Sequence, residues 1–180
     1  MRKKQDRLNI VDEKGNVIGE EFREKIHQNG LLHREAYVWF YTPTGEVILQ
    51  HRGKDKDTYP DLLDATVGGH NEIGEYALAT AIREAREETG LKLGEDDLQF
   101  MGDIFQRSED SVTGTINNAL KAEFIYLFNG DVAELNVEKE MALGFELWTV
   151  DSILEADEET KKKFIPTIFE PEILNILREI

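Results

Sequence analysis

Residues 69–91 read GHNEIGEYALATAIREAREETGL, from Gly69 to Leu91. Ala77, Leu78, Ala81, Ile82 and Ala85 recur at helical spacing, which predicts one face that packs on a sheet. Gly90 follows Thr89 where a left-handed cap would end the helix, and Gly68 with Gly69 predicts a tight backbone turn before it. Glu84, Glu87 and Glu88 stand at i, i+3 and i+4, so the helix gathers three carboxylates on an arc of roughly 100°. Like charges at that spacing repel by a few tenths of a kcal/mol per pair, and by more when partly buried. A divalent cation relieves them. Carboxylate oxygens suit Mg2+ or Mn2+, and magnesium completes its shell from water and substrate phosphates. A solvated acidic helix surface is the plainer reading of EAREE taken alone.

Outward from this stretch, the 180 residues and their 40% hydrophobic and 32% charged composition fit one folded domain, long enough to bury roughly 70% of its unfolded surface. The single domain divides into an N-terminal extension (1–34), a core (35–155) and a helical tail (156–180). The opening MRKKQDR lacks a following apolar stretch, and no run approaches the ~18 apolar residues of a membrane span, so a cytoplasmic protein with no membrane partner is expected. With no cysteine, disulfides, thiolate metal sites and cysteine nucleophiles are excluded. A formal charge of −16 argues against a nucleic-acid polymer as partner, because such binding rests on lysine and arginine neutralising phosphates. A small phosphorylated molecule stays compatible, provided metal ions and a few local cations reverse the field at the site.

In chain order, residues 7–22 predict a hairpin about Gly15 and Asn16, and a polar connection then leads through Asn29 and Gly30 into a strand from Ala36 to Tyr41. The turn Thr42 to Gly45 joins it to a second strand, Glu46 to His51. The next loop carries Arg52, Lys54 and Lys56, the concentrated cations nearest the carboxylates, interleaved with Asp55 and Asp57. A cationic loop just ahead of a carboxylate helix would present counter-charge and metal to one diphosphate; an exposed loop of mixed charge is the alternative. A strand from Leu98 to Gln106 is followed by the polar run RSEDSVTGTINN, read as a loop that reaches over the substrate. Strands are expected at Ala119 to Phe128 and Phe145 to Val150, with a carboxylate-rich loop between them. Beyond Asp151 the pattern is helical, divided by Pro166 and Pro171, with Ile173, Leu174, Ile176 and Leu177 forming an apolar stripe. The stripe reads as core before partner groove; a homodimer, if formed, would use it or the N-terminal hairpin.

Gly69, five residues, Glu75, seven residues, and then Arg83, Glu84, Ala85, Arg86, Glu87, Glu88, Thr89, Gly90 and Leu91 together resemble the signature box of the Nudix hydrolase family. Ala85 departs from the larger aliphatic residue usual there. The resemblance implies an α/β fold, a Nudix-type α/β/α sandwich with a mixed central β-sheet, here with an N-terminal β-hairpin and C-terminal helices. Over roughly Leu8 to Trp148, the segments HQNGLLHREAYVWF and LQHRGKDKDTYPDLLDATVGGH are similar to the branch related to isopentenyl-diphosphate isomerase. In that isomerase three histidines and two glutamates bind a metal and a cysteine transfers a proton. The resemblance matches the histidines to His27, His33 and His70, the glutamates to Glu138 and Glu140, and the cysteine to Gly68. Isomerisation needs an acid and a base on opposite faces of a carbon skeleton, so loss of the cysteine favours hydrolysis.

The resemblance accordingly implies a Mg2+-dependent pyrophosphohydrolase, with Mn2+ as a substitute, acting on a small-molecule diphosphate. Glu84, Glu87 and Glu88 are expected to hold the metal, with Glu140 as a further ligand from outside the box. Arg83 and Glu75 are expected to pair and brace the site. Arg52, Lys56, Gly69 and His70 are assigned to the substrate. The histidines have structural readings beside the metal one, and a Nudix fold used as a ligand sensor is the alternative from another class. Tyr59, Phe105 and Trp39 are candidates for stacking a base.

Overall fold

A computed structural model describes residues 7–56, 58–138 and 142–180. The chain opens with an antiparallel hairpin of β1 (Arg7–Val11) and β2 (Val17–Phe22). Its turn forms because the Asp12 carboxylate accepts from the Lys14 and Asn16 amides at 2.9 and 2.8 Å, while Gly15 takes φ 78°. Helix α1 (Arg23–Asn29) follows, where the sequence predicts a polar connection. Its buried residue is Ile26, which leaves no helical period to read, and Gly30 ends it in the left-handed region.

The central sheet contains β3 (His33–Tyr41), β4 (Glu46–Arg52), β5 (Leu63–Asp64), β6 (Val67–His70), β7 (Gln99–Glu109), β8 (Ile116–Leu127) and β9 (Ala142–Thr149). The order β5-β4-β3-β8-β7, with β6 also on β3 and β9 on β4, makes it mixed, since β3 and β8 run parallel and the other pairs antiparallel. The polar run from Arg107 to Asn118 is therefore not one long loop over a substrate. β7 continues to Glu109 and β8 starts at Ile116, with a closed turn between them.

Strand alternation assigns each face its core. Ala36, Val38 and Phe40 with Ala122 and Phe124 pack under α2 (Ala77–Thr89), where Ala81 and Ala85 let helix and sheet approach closely. On the opposite face Trp39, Leu49 and Ile125 meet Ile153 from α3 (Val150–Leu154) and Ile173, Ile176 and Leu177 from α5 (Pro171–Arg178). This is an α/β/α sandwich, as expected. Between those helices come α4 (Glu158–Lys161) and a 3-10 turn at Pro166–Phe169; Pro166 and Pro171 each start a helical segment, where the missing amide is not needed. The apolar stripe of the tail is core, the first of its two readings, each buried aliphatic contributing about 1.5–3 kcal/mol. No helix among the described residues is long and apolar enough to cross a membrane.

The face beneath α5 also holds a buried polar row. The Trp39 indole donates to Glu123 at 2.8 Å, and burial pushes that carboxyl up to about 7. Its folded pKa lies above its unfolded one, so this group's contribution is most favourable in acid and weakens as pH rises from the ordinary carboxylate range to about 7.

Candidate active site

β6 lies antiparallel on β3 with Glu35 opposite His70, Ala36 opposite Gly69 and Tyr37 opposite Gly68. Gly68 and Gly69 are thus extended strand residues, which corrects the expected tight turn; the chain turns at Gly74, φ 86°. Close approach is what demands glycine. A Cβ at Gly69 would fall within the Glu84 carboxylate, and one at Gly68 would lie 2.5 Å from the Tyr37 ring. Helix α2 therefore sits against β6 closely enough for Glu84 to touch the strand, and Gly90 caps its end at φ 77°.

Arg83 is the hub of the carboxylate face. Its Nε and Nη2 grip Glu75 at 2.9 and 3.0 Å, Nη1 reaches Glu84 at 2.8 Å and Glu87 at 3.3 Å, and Nη2 also donates to the His70 carbonyl at 3.1 Å. Burial pushes the Glu75 carboxyl up, but Arg83 and the Glu72 amide outweigh it and hold it below the usual range. The three expected metal carboxylates differ in setting: the Glu87 side chain is 48% exposed, that of Glu84 is mostly buried and Glu88 is buried. Burial first, and then the Glu84 charge, push Glu88 up to about 8 against the opposing pull of Lys56 and a 3.0 Å bond from Gln50. Two carboxylates, one of them buried, thus meet at the end of β6.

The cationic loop divides in two. Lys56 bears on Glu88, beside the carboxylates. Arg52 turns inward, donating to Asp64 at 2.7 Å, to the Tyr59 carbonyl at 3.1 Å and to the Thr58 carbonyl at 2.8 Å. Its guanidinium thus braces residues 58–64, where the sequence assigned it to a substrate phosphate. Of the stacking candidates, Trp39 is core, the Tyr59 amide is tied to Asp110 at 2.7 Å, and Phe105 is exposed on β7. Glu140 lies outside the described residues.

His27, His33 and His70 converge from α1, the start of β3 and the end of β6, with a ligand atom from each within 4.8 Å of the others. Backbone carbonyls orient two of them through Nδ1: Ile116 for His27 at 3.1 Å and Leu31 for His33 at 3.0 Å. The Nε2 atoms turn inward, His27 to His70 at 3.0 Å, and the buried His33 Nε2 has no hydrogen-bond partner. Burial holds the His27 and His70 imidazoles below their ordinary pKa, hence neutral near pH 7. Against them stands Glu35, 3.2 Å from His70 and 3.6 Å from His33, tied also to Asn117 at 3.1 Å. Burial pushes the Glu35 carboxyl up, but His33, His70 and Lys121 outweigh it and hold it well below the usual range. Among the described residues, the carboxylate beside the histidines is Glu35; of the two the sequence pairs with them, Glu138 is exposed and Glu140 lies outside the described residues. The only sequence signal of Glu35 is polarity inside an apolar strand, two positions after His33.

The family model described as the NUDIX domain matches residues 31–168. The chain belongs to the Nudix family. An uncharacterized Nudix hydrolase of Yersinia pestis is 40% identical over 84 residues, 47% of this chain and 46% of that protein. Nudix hydrolase 3 of Arabidopsis thaliana is 33% identical over 116 residues, 63% of this chain and 15% of that protein. The chain spans about half the length of the first curated relatives it matches. Among solved structures, DR0079 of Deinococcus radiodurans superposes with TM-score 0.68 at 20% identity, covering 97% of this chain and 98% of that one, which speaks for the fold alone. This Nudix chain carries the carboxylates of its box on α2 and its three histidines where α1, the start of β3 and the end of β6 converge.

Proposed function

We propose that this Nudix chain is a divalent-metal-dependent hydrolase that adds water across the phosphoanhydride of a small organic diphosphate. The observation that carries the reading is the buried Glu88 beside Glu84, a pair that stays partly protonated despite Arg83 and Lys56 and that a divalent cation would ionise fully. The residues fit Mg2+ or Mn2+: hard oxygen donors on one helix face, with Gly69 withdrawn to admit Glu84. Bound there, such an ion would supply Lewis acidity toward a diphosphate and toward water. Glu84, Glu87 and Glu88 would hold it. Arg83 and Glu75 position the loop and helix, and Lys56 supplies positive charge toward the phosphates. Isomerisation is disfavoured by Gly68, because a thiol-bearing side chain there has no room beside Tyr37. The test is a screen of nucleoside diphosphate derivatives, sugar nucleotides, dinucleotides, and prenyl and thiamine diphosphates with Mg2+ or Mn2+, scored by product monophosphates. Turnover of at least one class is expected. Tight binding without turnover on every class would replace this reading with a ligand sensor.

The histidine cluster supports a second metal position. Three imidazoles with a carboxylate suit Mn2+ or Zn2+ better than Mg2+, and the His33 Nε2, which makes no hydrogen bond, is the atom that such an ion would satisfy. Metal analysis after loading and dialysis should show His33→Gln and His70→Gln each losing one equivalent that Glu84→Gln retains. Equal metal content in folded wild type and both histidine variants would reject this position.

A further inference from the structure

Among the described residues, β7 is hydrogen-bonded on one side only, to β8, and forms a free edge of the central sheet. The ladder determines which of its peptide groups face outward. At the turn, the Asp110 amide donates to the Thr115 carbonyl at 3.0 Å. Bonded and non-bonded pairs alternate in an antiparallel ladder, so Ser108, Gln106 and Ile104 aim their peptide groups at β8. Glu109, Arg107, Phe105 and Asp103 aim theirs at the free edge. The same four residues have exposed side chains, with Phe105 55% exposed at the centre and Asp103 and Arg107 two positions to either side. Neither of these two charges has an ion-pair partner within the chain among the described residues.

We infer that a second copy of this chain docks on this edge, β7 pairing antiparallel with β7 about a two-fold axis at Phe105. In that register Asp103 lies opposite Arg107 twice, Phe105 faces Phe105, and the outward peptide groups of both strands meet. Charge selects the register. Moving the axis to Gln106 sets Asp103 against Glu109, moving it to Arg107 sets that residue against itself, and moving it to Ile104 leaves both charges opposite Phe105 and Met101. A chain of net charge −16 repels its copies over most of its surface, so a strand with balanced, self-complementary charge is where they can meet. The register shift between Phe100 and Gly102 at one end and the 110–115 turn at the other bound the ladder, so the contact closes as a dimer. It is independent of the hydrolase reading.

Sedimentation equilibrium of the full chain should give twice the 20.6 kDa protomer mass. Asp103→Arg and Arg107→Asp each set like charges across the ladder twice and should raise the dissociation constant at least about tenfold. The double variant should restore the dimer. Hydrogen exchange supplies a readout that needs no variant: the Phe105 and Arg107 amides should slow as protein concentration rises. A monomer at every concentration, single reversals that leave the dimer intact, or exchange at these amides that ignores concentration would each overturn the proposal. So would a dimer broken by Ile18→Ser on β2 but not by the reversals.

Discussion

Glu88→Gln should lower kcat by roughly 10³-fold while making the metal-free protein more stable at alkaline pH. Both effects come from the same atoms. Glu88 is buried against Glu84, and its carboxyl is pushed up to about 8 from the ordinary 4.5. Since the folded pKa exceeds the unfolded one, the unfolded chain releases this proton first, and stability falls as pH rises from about 4.5 to about 8. Each unit of that window corresponds to about 1.4 kcal/mol, so a neutral isostere should recover a few kcal/mol at pH 8 and nothing at pH 4. The amide can still accept from Gln50, which keeps the local packing. Thermal melts in chelator at both pH values, beside kcat/KM with saturating Mg2+, read the two effects separately. A variant within a few-fold of wild-type turnover would remove Glu88 from the metal site. One that melts below wild type at pH 8 would refute the electrostatic account.

What was legible in the sequence was local. The 3.6-residue period of residues 77–89, the Gly90 cap and the turn chemistry at residues 13–16 each report a few neighbouring residues, and those elements stand where expected. Contacts set by strand register were not legible. Glu35 meets His70 only because β6 lies on β3 in one register, and Asn117 joins them only because β8 runs parallel to β3. Arg52 looked like a free cation because Tyr59 and Asp64 are brought to it by closure of the loop. Glycine was read as freedom at Gly68 and Gly69, where the structure uses its small size. The strand at Arg107 to Glu109 was missed because an edge strand with an exposed face lacks the apolar alternation that marks a half-buried one.

Arg83→Met should lower stability by about 3–5 kcal/mol and turnover along with it. The guanidinium is mostly buried and contacts Glu75, Glu84, Glu87 and the His70 carbonyl, so its removal leaves three carboxylates and a carbonyl without their shared donor. For a chain of this length the loss corresponds to a Tm lower by about 10 °C in chelator. Arg83→Lys keeps the charge but not the fork that grips both Glu75 oxygens, so it should recover part of the stability and little of the turnover. Metal addition distinguishes a brace beside the metal site from one remote from it. Arg83 competes with any cation for Glu84, so in Arg83→Met the rise in Tm on adding Mg2+ should exceed that of wild type. Equal rises would mean that Arg83 supports the loop without sharing the metal's carboxylates. A chelated variant melting within about 2 °C of wild type would show that the hub is not needed for the fold.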